Sequence, residues 1–292
     1  MATQNFKITA FSTALFSTWI FVEELGLLFD AGDGLSAGLM QKARKVKQVF
    51  LTHPDRDHLA GLLQFCQLNN RANLPHFYYP KDCKSFEYMQ AFMARFDKHT
   101  AVSPWTGIED GQAIRVKPNT TVQAIRNEHI PVPLGVHKSL SYLVQQHKRK
   151  LKPAFQSLNG QEIAGLAKEK GQDFISEQHS EKLIGISGDC PVRQFEHWDN
   201  TKLLIHEATF LEEQPGLNNK QNKHSTLTDV LQMASEINIG ALLLKHFSSR
   251  YSAAQIKTAI RKQCRALKLE IPVYAILPGE IKRDACNSEP IN

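Results

Sequence analysis

The chain has 292 residues, of which 42% are hydrophobic and 22% charged. That usage fits a globular protein and excludes a wholly disordered, collagenous or coiled-coil chain. The length is enough to bury a sizeable core without disulfide staples. A formal net charge of +6 permits a polyanionic partner but does not prove one.

Cys66, Cys83, Cys190, Cys264 and Cys286 are odd in number, far apart and free of any Cys-x-x-Cys pair. This argues against a disulfide framework or a zinc-ribbon site and fits a reducing, cytoplasmic setting. Residues 8–22 are apolar enough to suggest a signal peptide. They carry Ser12, Thr13, Ser17 and Thr18, however, with a weak basic start and no small-residue cleavage site. They read better as two strands. Nowhere is there a run of about 18 apolar residues, so no membrane span is expected.

In chain order, short β-rich runs at residues 6–10, 18–23, 26–30 and 47–52 predict strands. Helical spacing follows over 59–68 and 82–96, the second with Pro80 and Asp82 as start signals. Further strands are expected at 122–125, 141–144, 183–187, 203–206 and 241–245, and helices at 226–237 and 253–267. This alternation predicts an α/β protein. Residues 145–182 differ: they are polar, contain Lys148, Arg149, Lys150 and Lys152, and include one helix near 161–170. They read as an insertion projecting from the core of a single domain spanning 1–292, with a disordered tail at 284–292.

The most informative stretch is Val49-Phe50-Leu51-Thr52-His53-Pro54-Asp55-Arg56-Asp57-His58. A buried strand runs into a turn that offers four potential metal ligands within six residues. Strand ends followed by loops are where α/β folds place sites. A plainer account is a helix start capped by Asp55 or Asp57 with exposed histidines. Three further strand ends deliver His129, Asp189 and His246, which favours a metal site over coincidence.

These residues resemble the metallo-β-lactamase fold, and within it the ribonuclease Z branch. The family motif His-x-His-x-Asp-His matches residues 53–58, and its Gly-Asp matches Gly188-Asp189. Its His-Glu-Ala-Thr matches His206-Glu207-Ala208-Thr209, and its Gly-His-Ser-Thr matches Lys223-His224-Ser225-Thr226. Its Thr-His-x-Ser-Ser-Arg-Tyr matches Lys245-His246-Phe247-Ser248-Ser249-Arg250-Tyr251. The resemblance implies an αβ/βα sandwich of two mixed β-sheets flanked by helices, with the site at one edge. It implies two divalent ions, zinc or manganese: one held by His53, Asp55, His129 and Asp189, the other by Asp57, His58, Asp189 and His246. It implies attack on phosphorus by a hydroxide between the ions. His224 would assist the departing oxygen, Glu207 would orient that imidazole, and Asp57 counts with the catalytic groups. Ser248 and Arg250, together with Lys148 and Arg149, would contact an anionic substrate such as RNA. Family members are often homodimers, and no stripe here demands one.

Three departures qualify the resemblance. Asp55 replaces a family histidine, which moves the first position towards manganese and away from a nitrogen-rich zinc site, and weakens it. The insertion lacks the Gly-Pro pair of transfer-RNA-binding arms. The family's Phe-Leu-Gly-Thr-Gly opening is absent, although Asp30-Ala31-Gly32-Asp33-Gly34 matches the later glycine turn. His137, alone in a Pro/Gly loop, reads as structural. The expected activity is that of a metal-dependent phosphodiesterase resembling the transfer-RNA 3′-processing endoribonuclease. The alternatives are a hydrolase of a small ester, thioester or cyclic phosphate, and a metal-depleted, non-catalytic nucleic-acid-binding relative. Residues 245–268 hold seven basic residues and no acidic one, so the chain's positive excess is local. Lys257, Arg261 and Arg265 share one helical face and are expected beside the site.

Overall fold

The computed structural model describes residues 6–97, 103–212 and 223–292. Strands β1 (Ile8–Thr13) and β2 (Ser17–Val22) pair antiparallel about a turn in which Leu15 has a φ of +69°. Both are rich in β-branched and aromatic residues, and nearly every side chain is buried. Strand β3 (Leu27–Phe29) joins antiparallel to β2. Parallel strands β4 (Gln48–Phe50), β5 (His76–Pro80) and β6 (Trp105–Ile108) complete a six-stranded sheet in the order β1 to β6. Helices α1 (Leu35–Leu39), α2 (Arg56–Leu59), α3 (Leu62–Asn69) and α4 (Lys84–Phe96) belong to the same half. Their apolar residues Leu35, Leu62, Phe65 and Phe86 pack with Trp19 and Phe77 on the sheet's outer face.

The second sheet repeats the plan. Strands β7 (Ala113–Lys117), β8 (Thr120–Arg126), β9 (Leu140–Leu151) and β10 (Ser176–Ile186) run antiparallel. Parallel strands β11 (Leu203–Glu207), β12 (Leu242–Lys245) and β13 (Val273–Ala275) follow. Helices α5 (Gly160–Lys170) and α6 (Gln172–Ile175) sit between β9 and β10. Helices α7 (Leu227–Glu236) and α8 (Ala253–Leu267) cover the outer face with Val230, Leu231, Ile256 and Ile260. Between the sheets, Phe29 and Phe50 of the first meet Tyr142, Ile184 and Ile205 of the second in one cluster. The result is an αβ/βα sandwich of two mixed sheets.

Differences from the sequence expectations are local and have physical causes. β5, β6, β7 and β13 are additional to the expected strands: β5 is buried on both faces and so lacks alternation, β6 and β13 are short edge strands, and β7 is a five-residue edge strand whose alternation of Ile114 and Val116 with exposed residues is brief. The polar insertion is flanked by unexpected strand: β9 and β10 continue together into it as a ribbon, with Ser176 opposite Leu151 and a register shift between Lys182 and Ile184, and α5 and α6 lie at its tip. That irregularity marks where the ribbon leaves the sheet. The tail also differs from the disordered segment expected: Ile291 N donates to Val273 O at 2.8 Å, and Asn292 Oδ1 accepts from Val273 N at 3.0 Å. All five cysteines are free. Among the described residues, no helix is long and apolar enough to cross a membrane.

Candidate metal centre

Strand ends at one edge of the sandwich deliver the site. After β4 the chain turns through His53 and Asp55 into α2, which carries Asp57 and His58. Asp55 occupies the N-cap position of α2, yet its side chain makes no capping bond. Its Oδ2 lies 3.4 Å from His129 Nε2 and 3.7 Å from His53 Nε2. The geometry therefore disfavours the capping account. A close approach makes room for this turn: a Cβ on Gly32 would lie 2.3 Å from Asp57 O. Asp189 follows Gly188, whose φ of +66° suits glycine. His246, after β12, has a φ of +62°, sparsely populated backbone of the kind that clusters at functional sites.

One carboxylate oxygen lies at the middle. Asp189 Oδ2 is 3.1 Å from His246 Nε2, 3.2 Å from His58 Nε2 and 3.8 Å from His53 Nε2. Asp57 Oδ2 lies 3.3 Å from His246 Nε2 and 3.6 Å from His58 Nε2. His53, Asp55 and His129 form one close group, and Asp57, His58 and His246 another, with Asp189 reaching His53 and His58.

The opposite ring nitrogens settle which atoms face inward. Thr52 Oγ1 lies 2.9 Å from Asp30 Oδ2 and 2.9 Å from His53 Nδ1. The hydroxyl donates to the carboxylate, so His53 Nδ1–H donates to the hydroxyl. His58 Nδ1–H donates to Asp30 Oδ2 at 2.8 Å, and His129 Nδ1–H to Lys223 O at 3.2 Å. Thr209 Oγ1 donates to Glu207 Oε2 at 2.6 Å and accepts from His246 Nδ1–H at 3.0 Å. All four imidazoles thus turn a lone pair on Nε2 towards carboxylate oxygens. Lone pairs facing anionic oxygens are unfavourable without a cation between them. His53 Nε2 and His58 Nε2 are moreover buried without a hydrogen-bond partner. The residues present therefore fit divalent ions.

The proton equilibria report the same need. Burial would lower the pKa of His58, but Asp189 and Asp30 hold it well above its ordinary value. Burial pushes His53 well below its ordinary value, and His58 adds to that. Burial would raise Asp189, yet His246, His58 and Lys245 hold it well below the carboxylate range. Beside the cluster, Glu207 is fully buried and accepts from Cys190 N at 2.9 Å and Thr209 N at 3.1 Å. It also accepts from His224 Nδ1 at 3.1 Å. Burial would lower the His224 pKa, but the Glu207 charge and hydrogen bond raise it to about 9.

The structure brings His53, Asp55, Asp57, His58, His129, Asp189 and His246 to one edge, with His224 and Glu207 adjoining. Ser248 follows His246, and its Oγ accepts from Arg250 Nε at 3.1 Å; the guanidinium lies 5.4 Å over the Phe210 ring. Lys148 and Arg149 are not brought there. Lys148 is eight residues up β9 from Leu140, whose N donates to Thr52 O beside the centre; at strand rise that is about 27 Å. Lys148 pairs with Glu181 at 3.3 Å and Arg149 with Asp173 at 2.7 Å. The basic stripe is also displaced from expectation. Lys257 and Arg261 line a cleft of about 370 Å³ with Lys282 and Glu289, and Arg261 Nε donates to Ile291 O at 3.0 Å. No proposed ligand lines that cleft. His137 is buried, and its backbone N donates to Asp82 Oδ2 at 2.8 Å, which ties its loop to the segment before α4. Sequence reasoning missed Asp30, Thr52, Thr209 and Lys245 as partners of the cluster. Asp30 and Thr209 stood inside matched motifs, and Thr52 preceded a candidate ligand, so position was the available signal.

Comparison with known proteins agrees with this fold. The beta-lactamase superfamily domain model matches residues 27–152. The chloroplastic tRNase Z TRZ2 of Arabidopsis thaliana is 25% identical over 271 residues, covering 89% of this chain and 72% of that protein. The ribonuclease Z of Archaeoglobus fulgidus is 28% identical over 262 residues, covering 80% and 82%. The metallo-beta-lactamase fold protein YhfI from Bacillus subtilis superposes with a TM-score of 0.62 at 16% identity, covering 94% of this chain and 98% of that one.

Proposed function

We propose that this chain, which has the metallo-β-lactamase fold and a sequence similar to ribonuclease Z, is a metal-dependent hydrolase of phosphodiesters, with RNA of the precursor transfer-RNA type as substrate. The observation that carries the reading is the ring of four imidazole Nε2 atoms turned onto Asp55, Asp57 and Asp189. Two divalent ions bound there would supply Lewis acidity to phosphoryl oxygens and a lowered pKa for water. His53, Asp55, His129 and Asp189 would hold one, and Asp57, His58, Asp189 and His246 the other. With a carboxylate in place of a nitrogen donor, the first position favours manganese over zinc.

The remaining roles belong to the chain's own groups. His224, kept as imidazolium by Glu207, donates a proton from the ring edge opposite Glu207 to the departing oxygen. Arg250, beside Phe210 and Ser248, binds a phosphate oxygen. At the β1–β2 turn, Leu15 N donates to Asp57 Oδ2 at 3.1 Å while the Leu15 and Phe16 side chains are exposed. They offer an apolar face for a base beside the scissile phosphate. The β9–β10 ribbon leaves the sheet between Lys182 and Ile184, away from this edge, and its length suits a macromolecular substrate better than a small ester.

Metal-loaded protein should cleave both bis(4-nitrophenyl) phosphate and a precursor transfer RNA. Cleavage of the first alone would redirect the substrate to a small phosphodiester. Failure on both, with ions bound, would defeat the reading.

A further inference from the structure

Lysine rarely sits in a core unless a partner holds it. Lys245, the last residue of β12, is fully buried on the same face as Leu243, one residue before His246. Its stem crosses the end of β11 to reach the segment after β10. There Nζ donates to Gly188 O at 2.9 Å and to Asp189 Oδ1 at 3.2 Å. The two oxygens of Asp189 are thus divided: Oδ1 goes to a cation of the protein, and Oδ2 to the imidazole ring.

We propose that Lys245 sets the charge of the metal centre: its ammonium takes Asp189 Oδ1, leaving Oδ2 for the ions, and offsets the third carboxylate that Asp55 brings. The inference rests on the metal reading given above. Three carboxylates against two divalent ions leave one positive charge in the cluster. Lys245 makes it two, the total that a histidine at 55 with an uncharged residue at 245 would leave. The aspartate at 55, where the family motif has histidine, and the lysine at 245, where it has threonine, therefore compensate each other in charge. They also act on different atoms: Asp55 Oδ2 faces His53 and His129, whereas Lys245 grips Asp189 from behind. Lys245 and Asp189 are almost fully buried, so the ammonium acts on that carboxylate with little screening, whereas Asp55, its side chain 56% exposed, is partly screened by water.

The test uses Lys245→Met, Asp55→Asn and the double variant, with manganese and zinc affinity read by chelator competition. Melting temperature is read with and without each ion. Removing the ammonium should tighten ion binding about tenfold. It should also lower the melting temperature of the ion-free protein, so that the ion-induced rise becomes larger than in the wild type. Asp55→Asn should loosen binding, and the double variant should return close to the wild type. Lys245→Arg, which keeps the charge, should behave as the wild type. If Lys245→Met folds only when refolded with ions, the inference stands, because the ion has taken over the lysine's charge. Unchanged affinity and an unchanged ion-induced rise in Lys245→Met would overturn it and leave Lys245 a core residue only. Loosened binding in Lys245→Met, or failure to fold with ions present, would overturn it too. A wild type that binds no ion would instead defeat the metal reading beneath it.

Discussion

Strands β9 and β10 run through two regions that obey different rules. At their base, Leu140–Val144 and Leu183–Ile186 are buried, and the adjoining Ser187, Asp189 and Asn127 are buried polar groups with specified partners. Along the arm, the same strands carry Lys148, Arg149, Glu177 and Gln178 into solvent. Their ion pairs lie at the surface: Lys148 pairs with Glu181, and Arg149 with an Asp173 side chain that is 91% exposed. Buried polar networks are costly to break, because a group that loses its partner has no water to replace it. Exposed pairs are worth little. The centre should therefore be brittle to single substitutions, and the arm tolerant of them.

The contrast is tested first where it should be largest. Asp189→Asn removes the charge shared by both halves of the cluster. It should cost more than about 100-fold in kcat/KM on bis(4-nitrophenyl) phosphate, since outer partners of metal ligands alone cost about 10–100-fold. Bound metal per chain should fall with it; an active, fully loaded variant would break the contrast. Glu207→Gln should cost about 10–100-fold and also change the pH profile. With His224 acting as an acid, activity should fall as pH rises through about 9, and losing the Glu207 charge should bring that limb down towards 6.5. An unmoved limb would remove His224 from the proton-donor role.

Stability gives the next step down. Burial holds the folded-state pKa of His206 at about 4, below its ordinary 6.5. The unfolded chain takes up its proton first. This contribution is thus fully present above pH 6.5 and is lost as pH falls towards 4, by up to about 3 kcal/mol. Urea denaturation of His206→Gln should show a flatter acid slope over that window; an identical slope would place the proton uptake elsewhere.

The arm should show the smallest effects. Replacing Lys148 or Arg149 by Ala should change folding stability by less than about 1 kcal/mol, measured by urea denaturation. Both variants should keep turnover of the small phosphodiester within about twofold, since the residues stand about 27 Å from the centre. Weaker binding of precursor transfer RNA alone would sharpen the division into a chemical edge and a substrate-holding arm.

Much of the centre was legible because its donors stand at strand ends and inside short motifs, where local pattern and chemistry coincide. His53, Asp57, His58, His129, Asp189 and His246 were all marked by that coincidence. The arm was less legible. In β9 and β10 beyond Val144 and before Lys182, both faces are polar, so no alternation signals strand. The pairing of one strand with the other supplies the order instead. The misplacement of Lys148, Arg149 and the α8 stripe has a related cause: charge runs show composition, not which way a face is turned.

The alternation of strands and helices and the donors at strand ends follow from periodicity and residue type along the chain, while the sandwich and the ligand set follow from the resemblance of its motifs to the metallo-β-lactamase fold. Tertiary structure alone decided which ring nitrogen faces inward, which oxygen of Asp189 is left for an ion, and that a lysine lies behind it. Those outcomes depend on contacts between residues far apart in the chain: Asp30 with His58, 28 residues away, and Lys245 with Asp189, 56 residues away. A local pattern encodes how a segment folds and which face it buries, but the partner of a buried polar atom is set by whichever distant segment packs against it.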